Sequence, residues 1–192
     1  HQKLESQFRC GGSDGYLAWI DNTLQIRQTA NENLNGIDYD FRVLDSPTEL
    51  RDLIFEKNKT NNKSRIVAGY CYPWNSKKDK NRYDIEFPVH NFAMRWNLTD
   101  DGMLWIIKPE SVNEIGCIHT CQGLELDYVG VIIGKDLRIN NGFVYADHSA
   151  RASSDKTVFG FKKLLKENPA LASETINLLV KNTYRTLMTR GM

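Results

Sequence analysis

The 192-residue sequence lacks the features that would assign it to a membrane, secreted or strongly basic class. It has no run of about 18 apolar residues, and its mean hydropathy of −0.50 predicts no membrane span. The opening residues, HQKLESQFR, have no apolar centre of the kind a signal peptide needs. The formal net charge is only +1, which excludes a polybasic tail but not a local phosphate-binding groove. We therefore expect a soluble, cytoplasmic protein without membrane partners.

Cysteine is also scarce, with four residues and no CxxC pair. Cys117 and Cys121 flank His119, but this spacing matches none of the usual zinc patterns. A chain of this length buries roughly 70% of its unfolded surface, so it needs neither a disulfide nor a metal to fold. We expect no metal site and reduced, partly buried thiols.

Helical patterns alternate with short apolar runs along the chain, which indicates an α/β fold with a parallel-type sheet. Apolar spacing from Tyr16 to Leu24 predicts a first helix. Ser46 and Pro47 start a second helix, with Glu49 completing a capping box, and this helix should reach about Lys57. The other predicted elements are strands at Tyr39–Leu44, Arg65–Tyr70, Gly116–His119 and Tyr128–Ile133, a helix at Thr157–Glu167, and a longer helix after Asn168-Pro169.

A stretch at about 72–101 has a different composition, with aromatic residues scattered among lysines and arginines. We interpret it as an irregular insertion in a single domain that covers residues 1–192. Rings that alternate with cations suit the stacking of single-stranded bases, so Trp74 and Trp96 are candidate nucleic-acid contacts. The alternative is that these rings pack the insertion onto its domain.

Three further segments contain residue types that bind phosphates. The first is Gln7-Phe8-Arg9, ahead of a glycine-rich turn, and the last ends the final helix with Thr189-Arg190. Between them, a loop with Gly123 and Glu125 connects two apolar strands. A glycine in such a loop allows the backbone to approach a phosphate, and a nearby carboxylate can accept a ribose hydroxyl. Arginine offers a permanent charge and several donors to phosphate oxygens.

In this order the segments resemble motifs IV, V and VI of superfamily 1 helicases, which belong to the second RecA-like domain of the motor. A narrower resemblance, to the bacterial domain of unknown function 2075 family of Schlafen-related helicase-like ATPases, rests on QFRCGGSDGYLAW, RIVAGYC-x-PW, HTCQGLELDYVGVIIG and YRTLMTRG. It implies a RecA-like sheet of the P-loop NTPase superfamily, flanked by helices. It also implies ATP with Mg²⁺ as cofactor, and single-stranded DNA or RNA as partner.

The resemblance also implies roles for individual residues around the nucleotide. Arg9 and Arg190 would reach the γ-phosphate across a domain interface, as arginine fingers do. Phe8 would pack near the base, although the wider superfamily usually has Tyr there. Gly123 would approach the phosphates and Glu125 the ribose.

Three neighbouring positions complete the comparison with motif V. Gln122 occupies a position that is often Lys, so its phosphate contact would be neutral and weaker. His119 and Thr120 would lie near the nucleic-acid backbone. The alternative for His119 is a structural histidine whose hydrogen bonds are satisfied within the protein. The alternative for Arg190 is an arginine that is favoured at the C-terminus of a helix by the helix dipole.

The sequence contains no GxxxxGK[ST] loop and no Asp-Glu pair after a buried strand. The resemblance places both in an upstream RecA-like domain, so we expect this chain to be a fragment that is inactive alone, within a parent ATP hydrolase or helicase. A non-catalytic module that binds nucleic acid or protein is the alternative. A stand-alone hydrolase that uses His119 with a cysteine or an acid is a third and weaker hypothesis, because no partner that would orient the base can be identified.

Overall fold

A computed structural model describes residues 13–97, 104–121, 123–153, 155 and 160–192, and places a curled, mostly parallel sheet between helices. The helices are α1 (Asp14–Thr23), α2 (Pro47–Asn61), α3 (Ile118–Cys121), α4 (Phe161–Glu167) and α5 (Pro169–Met188). The strands are β1 (Ser64–Ala68), β2 (Ile85–Phe87), β3 (Phe92–Trp96), β4 (Glu114–Gly116), β5 (Tyr128–Ile132), β6 (Leu137–Asn140) and β7 (Phe143–Ala146).

The main sheet has the strand order β2-β3-β4-β1-β5, while β6 and β7 form a separate hairpin. Strands β3, β4, β1 and β5 are parallel, and β2 is antiparallel to β3. Ile66 of the central strand is in register with Ile115 on one side and Gly130 on the other. The carboxyl ends of the four parallel strands therefore lie along one side of the sheet, which we call the carboxyl edge.

Hydrophobic side chains cover both faces of the sheet. Every residue of β1 is buried, as expected for a strand with packing on both sides. Val67 faces a core formed with α1 and α5, whereas Ile66 and Ala68 face a second core that includes Ile54 of α2. This alternation explains why the segment is a continuous apolar run in the sequence.

Ser46 and Asn168 cap the two long helices as the sequence predicts, while the completion of a capping box by Glu49 stays a prediction. The Ser46 side chain accepts a hydrogen bond from the Thr48 amide, and Asn168 accepts one from Leu171. Helix α2 extends beyond Lys57 to Asn61. There Asn62 adopts a left-handed conformation that ends the helix.

The predicted strand Tyr39–Leu44 does not form. Its backbone runs beside β5 without joining the sheet, and a cavity of about 480 Å³ lies between the two. Asp40 and Arg42 instead form an exposed pair with each other. The predicted strand at Gly116–His119 is also partly wrong, because β4 ends at Gly116 and the chain turns into α3.

The expectation of an irregular insertion at about 72–101 is wrong for residues 85–96. This part of the segment contributes β2 and β3, and β3 pairs with β4 inside the main sheet. Phe92, Met94 and Trp96 point to the core while Ala93 and Arg95 are half-buried, so the aromatic residues Phe92 and Trp96 are those of a half-buried strand.

Helix α4 begins at Phe161, whereas the sequence predicted a start near Thr157, in the part of the chain that is not described. Among the residues that are described, no helix combines the length and the hydrophobicity needed to cross a membrane.

Candidate functional site

The segments around Gly123 and Arg190 meet in the structure. The Leu126 amide donates to the Arg190 carbonyl at 2.9 Å, and Gly191 forms a parallel bridge with Leu126. Nη1 of Arg190 donates to the Leu124 carbonyl at 3.2 Å. The end of α5 is thus hydrogen-bonded to the loop between α3 and β5.

Within this contact the exposure of the candidate residues differs. Arg190 is only 4% exposed, with its guanidinium directed at the loop backbone. Gly123 and Glu125 are exposed to solvent. Gly123 has φ of +84°, a conformation that favours glycine, and among the described residues, its chain neighbours aside, no atom lies within 4 Å of the position that a Cβ would occupy. A phosphate could therefore approach the loop backbone at Gly123. Phe8, Arg9 and Gln122 lie outside the described residues.

The candidate nucleic-acid residues gather at the carboxyl edge. The Trp74 and Trp96 ring centroids are 6.2 Å apart, and Tyr70 lies 6.2 Å from Trp74. The His119 ring meets Tyr70 edge-on at 6.4 Å. Thr120 belongs to the same edge as His119, since both follow β4. Residues from the ends of β1, β3 and β4 therefore form one surface.

Only part of this surface is open to a ligand. His119 is exposed, while Thr120 and Trp74 are half-buried. The Lys77 ammonium lies 5.7 Å from the centroid of the Trp74 ring, so one side of this ring carries a cation. Trp96 has 0% exposure and offers no face to a base; it packs beneath Trp74 instead.

Sequence reasoning missed a buried ionic cluster at the end of β5. Arg151 contacts the carboxylates of Asp136 and Asp155, and all three side chains are at most 2% exposed. The Tyr184 hydroxyl donates to Asp136 at 2.6 Å and accepts from the Gly134 amide at 2.9 Å. Burial and the neighbouring carboxylate raise the pKa of Tyr184. Arg151 and Asp155 are four residues apart but lie outside any helix that the sequence predicts, and Asp136 and Tyr184 are distant in the sequence, so the sequence did not reveal the cluster.

The cysteines near these sites are poor nucleophiles. Burial, followed by the charge of Asp136, raises the pKa of Cys71 to about 12. Burial also raises the pKa of Cys121. Because the thiolate is the reactive form, these positions do not favour a hydrolase that pairs His119 with a cysteine.

The β6–β7 hairpin was likewise not predicted, although the sequence contains its signal. Asn141 and Gly142 both have positive φ, at 48° and 81°. This is the requirement of a type I′ turn, for which Asn-Gly is the strongest sequence indicator.

The structure is a mixed α/β domain with a mostly parallel sheet, and in such domains ligands usually bind at the carboxyl ends of the strands, where this chain has polar and aromatic residues. Comparison of the sequence with known families identifies the family of this domain. Over residues 1–192 it matches the family described as Schlafen group 3, DNA/RNA helicase domain, and the chain belongs to this family. The family supports a helicase-like, nucleic-acid-related function.

One curated relative is the uncharacterized protein YPL245W of Saccharomyces cerevisiae, which is 25% identical over 203 residues. The match covers 98% of this chain but 43% of that protein, so the chain spans less than half the length of this relative. No solved structure gives a significant match.

Proposed function

We propose that this chain is the C-terminal, RecA-like half of an ATP-dependent nucleic-acid motor related to the domain of unknown function 2075 ATPases. Its site would complete an ATP site shared with an upstream Walker-containing domain. The observation that carries the proposal is the direct pairing of Arg190 with the loop at Leu124–Leu126. Two segments that resemble motifs V and VI are thereby held as one unit.

The residues present fit part of a nucleotide site. ATP would supply the γ-phosphoryl group, and the Mg²⁺ and β,γ-phosphate contacts would come mainly from the upstream domain. The exposed Gly123 backbone can approach a phosphate, and the Glu125 carboxylate can accept a hydroxyl. Arg190 would donate to phosphate oxygens after its guanidinium leaves the Leu124 carbonyl, while Arg9 would contribute from motif IV.

The second half of the proposal concerns single-stranded DNA or RNA at the carboxyl edge. His119 and Thr120 would contact the nucleic-acid backbone, and Trp74 with Lys77 would present a ring and a cation. Helix α3 connects this surface directly to Gly123. Closure around the nucleotide would therefore be transmitted to the strand through the 119–123 segment.

The test is ATP hydrolysis by the whole protein that contains this domain, with and without single-stranded DNA or RNA. Arg190→Ala should reduce strand-stimulated turnover by about 10³-fold, the scale of an arginine finger. Arg190→Lys should restore little of it, because an ammonium lacks the guanidinium's fork of donors. The matched control is Arg42→Ala, since Arg42 is an exposed arginine that pairs locally with Asp40.

A non-catalytic module remains the second candidate, and the burial of Arg190 favours it. A guanidinium that is 4% exposed and bonded to a loop carbonyl can serve as scaffold alone. Turnover that is absent, or that does not change in Arg190→Ala, would overturn the motor proposal and leave this module.

A further inference from the structure

The β6–β7 hairpin presents two aromatic side chains to solvent on one face. Arg138 is in register with Tyr145, and directly opposed residues of an antiparallel pair point to the same side. Phe143 lies two residues before Tyr145 on the same strand and shares this side. Phe143 is 72% exposed and Tyr145 is 39% exposed. Leu137 and Ala146, on the opposite side, pack against the core at α5.

This face is held on a fixed backbone. The Gln25 side chain donates to the Gly142 carbonyl at 2.7 Å and accepts from the Val144 amide at 3.0 Å, as a neighbouring strand would. The Ala146 amide donates to Asn177 of α5 at 2.9 Å. A ligand that stacks on the hairpin therefore does not have to order it first, which lowers the entropic cost of binding.

The base of the hairpin is fixed at the carboxyl edge. The Asp147 amide donates to the Asp136 carbonyl at 2.9 Å, and the Asp136 carboxylate belongs to the buried cluster with Arg151. Because β6 follows β5 after a short turn, the hairpin starts from the same edge that carries His119 and Trp74. The hairpin and the surface around His119 and Trp74 are thus both connected to the carboxyl edge.

The charge beside the rings is suited to phosphate. Arg138 and Lys135 are both exposed at the start of the hairpin. Arg138 also pairs with Asp147 at 3.1 Å, and its side chain remains 47% exposed. The α-carbons of Phe143 and Tyr145 are separated by about 7 Å, two residues of an extended strand. Exposed rings with adjacent cations are the usual stacking platform for single-stranded nucleic acid.

We infer that the outward face of the β6–β7 hairpin binds single-stranded nucleic acid, with Phe143 and Tyr145 stacked on bases and Arg138 and Lys135 at the phosphates. The inference rests on the proposed function, because it assigns a second contact for the strand that the motor would hold. It adds Phe143, Tyr145, Arg138 and Lys135 to the nucleic-acid contacts, a role that the sequence resemblance did not give to these residues.

The experiment measures binding of fluorescently labelled oligothymidylate and oligouridylate to the whole protein by anisotropy, without nucleotide. Phe143→Ala and Tyr145→Ala should each weaken binding by about tenfold or more, the scale of one lost base stack. The matched control is Ile139→Ala, because Ile139 is 74% exposed on the opposite face of the same hairpin. This control should bind like the wild type.

A second variant guards against effects on folding. Phe143→Trp keeps a ring at the position, and the fluorescence of the introduced indole should be quenched when a strand stacks on it. The inference would be overturned if both alanine variants bound the oligonucleotides as tightly as the wild type and the Phe143→Trp fluorescence were not quenched. If the wild type still bound the strand in that case, the proposed function would stand. A wild type that binds no strand and shows no strand-stimulated ATP hydrolysis would overturn the proposed function itself. Altered self-association with unchanged strand affinity would assign the face to protein contact and also overturn the inference.

Discussion

Replacing Arg151 by methionine should remove much of the stability of this domain. Nε of Arg151 donates to Asp155 at 2.9 Å, and Nη1 donates to Asp136 at 2.6 Å. The Arg151 side chain is 2% exposed, and the two carboxylates are 1% and 0% exposed. Burial alone lowers the pKa of Arg151, but the hydrogen bonds and charges of Asp155 and Asp136 outweigh it and raise the pKa. The cation is thus stabilised by its partners, which in turn depend on it.

The magnitude follows from what the substitution leaves behind. Methionine fills a similar volume, so the main loss is the charge that compensates two buried carboxylates. Removing one partner of a buried ion pair costs about 3–5 kcal/mol. For a domain of this size, each kcal/mol shifts the melting temperature by roughly 2–4 °C, so the expected decrease is about 6–20 °C.

The assay is urea unfolding of the wild type, Arg151→Met and a matched control, followed by circular dichroism. Arg42→Met is the control, because the Arg42–Asp40 pair has two exposed partners and should contribute little to the free energy of unfolding. Adding Asp155→Asn to Arg151→Met should restore part of the loss, since one uncompensated charge disappears. This reasoning would be refuted if Arg151→Met lowered the free energy of unfolding as little as the control does, or if the double variant regained none of the lost free energy.

Two further perturbations test the packing and ionisation at the same edge. Gly69→Ala should destabilise the domain by about 1–3 kcal/mol, because its Cβ would lie 1.9 Å from the Tyr184 hydroxyl; unfolding at the wild-type urea concentration would contradict this. The unfolding free energy should fall as the pH rises from about 9 toward 12, because the Cys71 thiol has a pKa of 9.0 when unfolded and about 12 when folded. Urea unfolding at each pH measures this, and Cys71→Ser should reduce the slope; an identical slope in that variant would exclude Cys71 as a source.

The elements that the sequence predicted well are those with local determinants. The side chains of Ser46 and Asn168 each accept a hydrogen bond from a backbone amide of the helix that follows, so each cap depends on only a few neighbouring residues. Strands β1 and β5 are apolar runs because packing covers both of their faces. The segment Tyr39–Leu44 has the alternation of a strand but lacks a pairing partner. Whether a segment finds such a partner depends on residues far away in the sequence.

The candidate site shows the same division. The resemblance gave Gly123 and Arg190 separate roles at the phosphates of a nucleotide, and the structure places the Arg190 guanidinium in contact with Leu124, the residue after Gly123. The roles of Gly123, Glu125 and Arg190 at a nucleotide stay predictions. The cluster of Asp136, Arg151, Asp155 and Tyr184 had no periodicity to reveal it, because it joins loop residues to a residue of α5 that only the tertiary fold brings close to them.

The long separation between α1 and α5 constrains when this domain can fold as it is synthesised. The Tyr16 hydroxyl donates to the Met188 carbonyl across 172 residues, and both helices line the same core. Strand β1 likewise acquires its partners β4 and β5 only after long intervening segments. The first helix therefore has no complete apolar partner until nearly the whole domain has left the ribosome, so the nascent chain must remain protected from aggregation until then.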